Sequence, residues 1–284
     1  MKPVQIAFKA FDCHELLCHA VASELDLYRA AGLEPRLIDS TFIADEALKQ
    51  PAFHAACAAA LAGFLKGNAL RAVYVACSRP MFWLYGRPGL ASLSALEGSR
   101  IASFADFAPP TAFLRERLAG AGVRAELLPC RDDVARLGLL RSGSVDAALI
   151  SSACLPHQLE AEGLRPLLFI GTDLRLPSTG LAVADELVTG APELVAAMVK
   201  VYRRATEQIF ADDLLLETVL DKTFSIPETR SGEAARVVRA CYTRDGRCDM
   251  ALAQRAVDAM ARSIGAASRP AADFYDFRFL DSDA

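Results

Sequence analysis

The stretch RIASFADFAPPTAFLRERLAGAGVRAELLPCRDDVARLGLLRSGSVDAALIS, residues 100–151, decides the fold class of this chain. Short apolar runs typical of buried strands alternate there with longer segments of helical periodicity. Prolines open the first helical segment and glycines close it, as helix boundaries require. Strands that alternate with helices predict βαβ units, and therefore an α/β protein with a mostly parallel sheet. The strand patterns lie at residues 100–104, 124–128 and 145–151, and the helical patterns at residues 109–118 and 132–142.

The same alternation extends on both sides of this stretch. A helical pattern at residues 155–162 and a strand pattern at residues 164–170 complete the block. Before it, strand patterns lie at residues 4–9, 34–39, 53–57, 70–77 and 81–85, and helical patterns at residues 16–31, 44–49 and 58–66. After it the pattern is helical, at residues 192–210, 213–222, 233–241 and 249–264, followed by an aromatic and charged tail at residues 273–280.

A chain of 284 residues is long enough for two domains of ordinary size. The late helices have no strands of their own, so they must pack on an existing lobe, and the simplest arrangement returns them to the first one. We therefore expect lobe I to comprise residues 1–92 and 181–284, and lobe II residues 93–180. Two connecting strands near residues 88–98 and 173–183 would form the hinge.

Composition limits the classes of partner. The formal net charge of −4 provides no basic surface for nucleic acid. The longest apolar run, residues 55–65, is about half of the ~20 residues that a membrane span needs. We expect a monomer that binds a small molecule and does not insert into a membrane. Because Met1 leads almost directly into a strand pattern, no secretory signal is visible. The expected location is periplasmic if an export signal has been removed, and otherwise cytoplasmic.

The eight cysteines mostly fall inside apolar patterns, where a reduced Cys behaves as a small hydrophobic residue. An oxidised framework is expected mainly in much shorter secreted chains. We expect mostly reduced thiols. Cys241 and Cys248 flank a turn at residues 243–246 and are the one pair for which a disulfide is worth testing.

Three stretches resemble a known family. They are AAGLE at residues 30–34, RPMFW at residues 79–83 continuing into LSALEGSRIA at residues 93–102, and GSVDAA at residues 143–148. Together they resemble the nitrate/sulfonate/taurine-type solute-binding proteins, a group that includes thiamine-pyrimidine binders and synthases. The resemblance implies a two-lobed periplasmic-binding-protein-like fold of the second type, with parallel-type sheets flanked by helices.

What the resemblance implies for function is binding of a small organic solute in a cleft between the lobes. The chain would be the substrate-binding component of an ABC-type uptake system or a related ligand sensor. Its partner would be an ABC permease if the chain is exported, or a regulator if it is cytoplasmic. The alternative is a cytoplasmic enzyme on the same scaffold, of the pyrimidine-synthesis or menaquinone-pathway lyase type.

Catalytic motifs give that alternative little support. There is no Gly-x-Ser-x-Gly elbow, no Gly-rich phosphate cradle and no recognisable Cys–His arrangement. The chain lacks a Cys cluster like that of the pyrimidine synthases, and its opening at residues 7–12 does not match the lyases. We therefore predict no catalytic residue and no cofactor. Cys13, Cys77 and Cys154 fall near strand ends and are the candidates for a nucleophilic thiol.

Ligands of parallel α/β sheets bind beyond the carboxyl ends of the strands. The loop at residues 104–111 is the strongest candidate, because the N–H groups of a helix start can bind an anionic or carbonyl group. Thr111 would supply a hydroxyl, and Phe104 or Phe107 a stacking face. The predicted ligand-binding residues are Phe11, Asp12, Cys13, Ser40, Ser78, Arg79, Phe104, Asp106, Phe107, Thr111, Ser151 and Ser152.

Structural roles compete with these assignments. Asp12 would either meet a ligand amine or cap the following helix, and Ser151 and Ser152 would either donate to a ligand or cap. Arg79 would either pair with a carboxylate, sulfonate or phosphate, or lie on the surface. Aromatic residues with acidic neighbours suit a planar, amine-bearing ligand, whereas Arg79 and the helix start at residues 109–111 suit an oxyanion. The sequence leaves both open.

A metal site is the remaining possibility that the sequence raises. His14 and Cys18 share one face of a helix, and Glu15 and His19 share a neighbouring face. Two pairs on neighbouring faces do not make a tetrahedral site. We predict no metal.

Overall fold

The computed structural model describes residues 1–41, 43, 48, 50–106, 108–172, 174–227 and 232–281. It divides the chain into two compact units. Unit 1 comprises Met1–Arg79 and Arg175–Ala284, and unit 2 comprises Pro80–Leu174. The boundaries therefore fall after residues 79 and 174 rather than after the predicted residues 92 and 180. The reason for the first difference is that the strand after residue 80 pairs within the sheet of unit 2.

The sheet of unit 1 has five strands in the order β2-β1-β3-β10-β4. The strands are β1 (Lys2–Phe8), β2 (Leu33–Asp39), β3 (Ala52–His54), β4 (Leu70–Cys77) and β10 (Thr179–Ala184). β1 pairs in parallel with β2 and β3, while β10 runs antiparallel to both β3 and β4. The carboxyl ends of β1, β2, β3 and β4 consequently meet at one edge of the sheet, which we call edge 1.

In the described part of the chain, the helices of unit 1 include the five that follow β10, so the C-terminal helices belong with the N-terminal strands. α1 ends at Glu24 rather than near residue 31, because Asp26 adopts a left-handed conformation (φ 54°) that separates it from α2. The helices are α1 (Cys13–Glu24), α2 (Leu27–Ala30), α3 (Cys57–Leu65), α7 (Asp185–Gly190), α8 (Pro192–Ala211), α9 (Asp213–Phe224), α10 (Glu233–Cys241) and α11 (Met250–Ile264).

The C-terminal segment covers the outer edge of β4. Ala72 N donates to Phe274 O (2.8 Å), and Asp276 N donates to Ala72 O (2.9 Å). Further along the strand, Val75 N donates to Gly246 O (2.8 Å). These backbone bonds satisfy groups that an edge strand otherwise leaves unpaired. The aromatic tail that the sequence contains is thus part of the fold of unit 1.

The sheet of unit 2 has the order β7-β6-β8-β5-β9. Its strands are β5 (Trp83–Gly86), β6 (Arg100–Ser103), β7 (Glu126–Pro129), β8 (Ala147–Ile150) and β9 (Arg165–Phe169). Its helices are α4 (Pro109–Gly120), α5 (Asp133–Arg141) and α6 (Pro156–Glu160). β6 is parallel to β7 and β8, and β5 is antiparallel to β8 and β9. The carboxyl ends of β6, β7, β8 and β9 meet at what we call edge 2.

The α/β fold class is confirmed, although each sheet is mixed because β10 and β5 run against their neighbours. The predicted strand at residues 53–57 ends at His54, and Cys57 opens α3 instead. Most of the predicted helix at residues 44–49 lies outside the described residues.

Two further expectations concern cysteines and membranes. Cys241 and Cys248 are not linked, and none of the eight cysteines forms a disulfide. Cys241 is instead buried at the end of α10, and its carbonyl accepts a hydrogen bond from Ser78 N (3.0 Å). Within the described part of the chain, no helix is both long and apolar enough to cross a bilayer.

Candidate functional site

Edge 1 gathers six of the predicted ligand residues. Phe11, Asp12 and Cys13 follow β1, Ser40 follows β2, and Ser78 and Arg79 follow β4. The predicted placement beyond the strand ends is therefore correct, because β1, β2 and β4 run in the same direction. The ligand-binding role of each residue stays a prediction.

Asp12 is the N-cap of α1. Its Oδ1 accepts a hydrogen bond from Glu15 N (3.0 Å), and the residue is almost completely buried. Glu15 in turn accepts at Oε2 from Lys9 N (2.8 Å), while Lys9 Nζ donates to Ser40 O (2.6 Å). The end of β1, the start of α1 and the end of β2 are thereby joined by polar contacts. The capping interpretation of Asp12 is confirmed.

The Glu15 carboxyl was not among the predicted site residues. Burial, followed by the negative charge of Asp12, raises its pKa to about 8, so the folded protein holds a neutral carboxylic acid at edge 1 near neutral pH. The signal that identifies it is the Asp-x-x-Glu spacing of a capping box over residues 12–15. Here Glu15 binds the backbone of Lys9 rather than that of the N-cap residue.

Cys13 is fully buried at the first position of α1, and its carbonyl accepts a hydrogen bond from Tyr242 Oη (2.6 Å). His14 lies beside it, with its Nε2 2.8 Å from Ser178 Oγ. The Ser178 hydroxyl donates to Cys77 O (3.1 Å), so its single proton is already used and His14 Nε2 must be the donor. Burial lowers the pKa of His14 to about 3, which keeps the imidazole neutral. His14 therefore connects α1 to the segment that returns to unit 1, and does not act as a base toward Ser178.

The side chains considered for a metal site each have a partner within the fold. Cys18 Sγ lies 3.4 Å from Thr206 Oγ1, and His19 Nδ1 lies 3.0 Å from Tyr28 Oη. Across the described residues, no group of three or more His, Cys, Asp or Glu side chains is arranged to hold a metal ion.

The other residues of edge 1 differ in accessibility. Phe11 is 54% exposed and packs edge-on against Phe8 at a centroid distance of 5.9 Å. It also lines a surface pocket of about 220 Å³. Ser40 is buried and donates to Phe8 O (2.9 Å). Arg79 is partly exposed, and its Nη1 lies 3.4 Å from Ala240 O. Of the six predicted residues at edge 1, Phe11 is thus exposed, and Ser78 and Arg79 are partly exposed.

Edge 2 gathers Phe104, Asp106 and Thr111 after β6, and Ser151 and Ser152 after β8. Phe107, which was also predicted to bind the ligand, lies outside the described residues. Asp106 is exposed, and Arg115 both pairs with its carboxylate and donates to its carbonyl (2.9 Å). Ser152 is fully buried.

The start of α4 differs from what the sequence led us to expect. Its first two residues, Pro109 and Pro110, have no N–H group, and Thr111 N donates to Ala108 O (3.0 Å). Thr111 Oγ1 donates to Phe104 O (3.0 Å) and contacts Ser103 Oγ (2.9 Å). The expectation that this helix start offers N–H groups to an oxyanion is therefore wrong, because prolines remove two of them and the loop uses the third.

Edge 2 also contains an ionic network that sequence reasoning missed. Arg136 on α5 is only 1% exposed, and its Cζ lies 3.6 Å from the centroid of the Phe104 ring. Its Nη2 donates to Asp133 Oδ1 (2.7 Å), and its Nη1 donates to Cys130 O (3.1 Å). Asp133 in turn accepts from both the backbone N (3.0 Å) and the Oγ (2.7 Å) of Ser151. The ends of β6, β7 and β8 are thus joined by one buried cation and one carboxylate.

The signal for this network is the spacing within α5. Arg136 and Leu140 are four residues apart and share the buried face of the helix, so a charged side chain occupies an apolar position. Asp133, three residues before Arg136, is the partner that such a cation needs. For Ser151 the sequence leaves ligand binding and capping open, and in the structure its hydroxyl donates to Asp133.

The chain was compared with known proteins. No family model matches it, and no curated protein matches it. Many solved structures are similar. The alkanesulfonate-binding protein SsuA from Xanthomonas axonopodis pv. citri, bound to MOPS, has a TM-score of 0.73 and 16% identity over 97% of this chain and 99% of its own.

Two other similar structures are a binding protein and an enzyme. One is the ligand-binding component of an ABC-type import system from Staphylococcus aureus with zinc bound (TM-score 0.74, 12% identity, 100% of this chain and 99% of that chain). The other is the desulfurization enzyme DSZB (TM-score 0.72, 18% identity, 99% of this chain and 98% of that chain). At these identities the likeness establishes the fold: the chain has the periplasmic-binding-protein fold of the second type, as predicted.

Proposed function

We propose that this chain binds a small organic solute, as the substrate-binding component of an ABC-type uptake system or a related ligand sensor. The observation that carries the proposal is the placement of every described candidate residue at the carboxyl-end edge of its own sheet. Such edges are where α/β sheets bind ligands. Similar structures that are ligand-binding components of import systems support the same role.

An organic sulfonate is the first class of ligand to test. One similar structure is a sulfonate-binding protein, and Arg79 supplies edge 1 with a partly exposed guanidinium suited to an oxyanion. Glu15, being protonated near neutral pH, adds no negative charge there.

Titration calorimetry on the full chain tests this proposal. We expect propanesulfonate and MOPS to bind with a Kd in the micromolar range and butyrate at least tenfold more weakly. Arg79→Met should weaken sulfonate binding at least tenfold, because one charge-assisted contact is lost. The matched control is Arg262→Met, an exposed arginine in the last turn of α11, which should leave Kd unchanged. If no sulfonate binds and native mass spectrometry releases no small molecule, the proposal is wrong.

The uptake role would make an ABC permease the partner and the periplasm the location, whereas the sensor role would place the chain in the cytoplasm beside a regulator. Fractionation of the source cells, with an antibody against this chain, separates the two. A monomer of 30.5 kDa is expected by light scattering in either case.

An enzyme on the same fold is the second candidate. DSZB is among the similar structures, and a Cys-to-Ser mutant of it was solved in complex with biphenyl-2-sulfinic acid. In this chain Cys13 opens α1 at edge 1. Incubation of the chain with biphenyl-2-sulfinic acid, followed by chromatography, tests turnover. Product formation that Cys13→Ala abolishes would favour the enzyme, and unchanged sulfonate binding by Cys13→Ala with no product would favour the binding protein.

A further inference from the structure

The Phe104 ring at edge 2 has two distinct sides. The Arg136 guanidinium covers one face at 3.6 Å from the centroid. Phe82 and Phe104 form a T-shaped pair, with centroids 5.5 Å apart and planes at 82°. Phe104 nevertheless remains partly exposed, although it directly follows a strand whose other residues at that end are buried. Because Arg136 is itself buried, the face that it covers is closed to solvent, and the exposure of Phe104 lies elsewhere on the residue.

Arg136 is held in place below this ring. Its position is fixed by Asp133, by Cys130 O, and indirectly by Ser151, which binds both oxygens of the Asp133 carboxylate. Its Nε has no hydrogen-bond partner in the described part of the chain and is buried. A buried ion pair with an unsatisfied donor contributes little to the free energy of folding, since apolar residues of similar size at the same positions usually give equal or greater stability. Its position therefore points to a role in what the ring does.

A guanidinium below an aromatic ring changes the electrostatics of the opposite face. Each face of a phenyl ring carries negative potential and attracts cations. When one face already holds a cation, a second cation at the other face is repelled by a charge about 7 Å away in a partly desolvated site. An electron-rich or anionic aromatic group at that other face is attracted instead, because the cation withdraws electron density from the ring.

We propose that Phe104 is an aromatic stacking subsite and that Arg136 is a positioning residue that sets the polarity of the ring face opposite to its own. The subsite takes a planar aromatic ligand that is electron-rich or anionic, and it discriminates against an amine-bearing cation of the same shape. The inference rests on the proposed solute-binding function and deepens it. It decides between the two ligand classes that the sequence left open.

Three probes and three variants of the full chain test the subsite by calorimetry. The probes are naphthalene-2-sulfonate, cyclohexanesulfonate and 2-(aminomethyl)naphthalene, which separate the ring from the charge. Phe104→Leu removes the ring, and the double variant Asp133→Asn with Arg136→Met removes the ion pair without leaving a lone buried charge. The control is Arg141→Met, which removes an exposed arginine on the same helix as Arg136; Arg141 pairs with Glu162.

We expect the wild-type chain to bind naphthalene-2-sulfonate at least tenfold more tightly than either other probe. Phe104→Leu should reduce the preference for the aromatic over the alicyclic sulfonate to less than threefold. The double variant should keep that ring preference, but its preference for the sulfonate over the amine should fall about tenfold. Ratios between probes on one variant do not change with the folded fraction, so a merely structural role of Arg136 would leave them unaltered.

Three results would overturn the inference. Equal wild-type affinity for the aromatic and alicyclic sulfonates removes the stacking subsite while the proposed function stands. An unchanged sulfonate-over-amine preference in the double variant removes the role of Arg136. If the wild type binds no probe and no sulfonate of the earlier panel, the proposed function and this inference fail together.

Discussion

Gly180 is the position at which a single added methyl group should do most damage to unit 1. It lies in β10 with φ 154°, a conformation that residues with a side chain rarely adopt. A Cβ atom built there would stand 2.0 Å from Tyr74 O and 2.9 Å from Ala76 N, both in the adjacent strand β4. The obstacles are backbone atoms, so no side-chain rotation can relieve them.

The cost of Gly180→Ala follows from this geometry. The two strands would have to separate by on the order of 1 Å, which disrupts neighbouring backbone hydrogen bonds worth about 1 kcal/mol each. The unfavourable backbone conformation adds about 1–3 kcal/mol. We therefore expect the free energy of unfolding to fall by about 3–5 kcal/mol, a large part of the total stability of a domain.

Urea unfolding followed by far-UV circular dichroism measures this change. Fluorescence of Trp83, the single tryptophan, reports separately on unit 2. The control is Gly190→Ala at the end of α7, where no atom lies within 4 Å of the added methyl group, and it should change stability by less than about 0.5 kcal/mol. A loss below about 1 kcal/mol for Gly180→Ala would refute the steric argument.

Three other predictions concern charge and helix propensity. The contribution of Glu15 to the free energy of unfolding should fall as pH rises from 4.5 to about 8, because the unfolded chain releases the Glu15 proton before the folded protein does. His14 and His19, whose pKa values burial lowers, contribute the opposite slope below pH 6.5. Glu15→Gln should remove the Glu15 contribution, which amounts to at most about 1.4 kcal/mol per pH unit in that window, in denaturant titrations at several pH values, and a parallel profile would contradict the assignment. Arg136→Met should cost about 3 kcal/mol, because the Asp133 carboxylate, whose side chain is 15% exposed, loses its cation. Adding Asp133→Asn should recover at least half of that loss in thermal unfolding, and no recovery would show that packing rather than charge is lost. Gly138→Ala, inside α5 with open space around the added methyl group, should stabilise unit 2 by about 0.5–1 kcal/mol in urea, and a loss would contradict the local helix geometry.

Strand positions were the most predictable part of the fold. The run at residues 70–77 matches β4 residue for residue, because a continuous apolar run bounded by polar turns admits few alternatives. The direction of strands was harder to predict. β5 and β10 have patterns as apolar as their neighbours, yet both run antiparallel to them. An apolar pattern indicates that a strand is buried on both faces. A buried strand has the same pattern whether it runs parallel or antiparallel to its neighbours, so the pattern does not predict its direction.

The first boundary between the units illustrates the same limit. The turn at residues 96–99 is clear in the sequence, but β5 before it pairs with β8 and β9 and so belongs to unit 2. Pairing between segments about 60 residues apart is a tertiary choice, which local patterns do not record. The predicted boundary lies close to the turn at residues 96–99, whereas the observed boundary lies before β5, because the hydrogen bonds of β5 place it in the sheet of unit 2.

At the site, the sequence identifies which residues lie at the strand ends but not how they are used. Thr111 and Ser151 are at edge 2 as predicted, yet their hydroxyls bind Phe104 O and Asp133. The residue that gives edge 2 its chemical character is Arg136, which lies in α5 (Asp133–Arg141) and whose neighbours have the pattern of an ordinary amphipathic helix. Its importance comes from the 3.6 Å contact with Phe104, which is 32 residues earlier in the chain. A polar group buried by tertiary contacts must find partners wherever the fold supplies them. A charged residue at an apolar position of a helix therefore predicts a buried polar contact, even when the local sequence does not identify its partner.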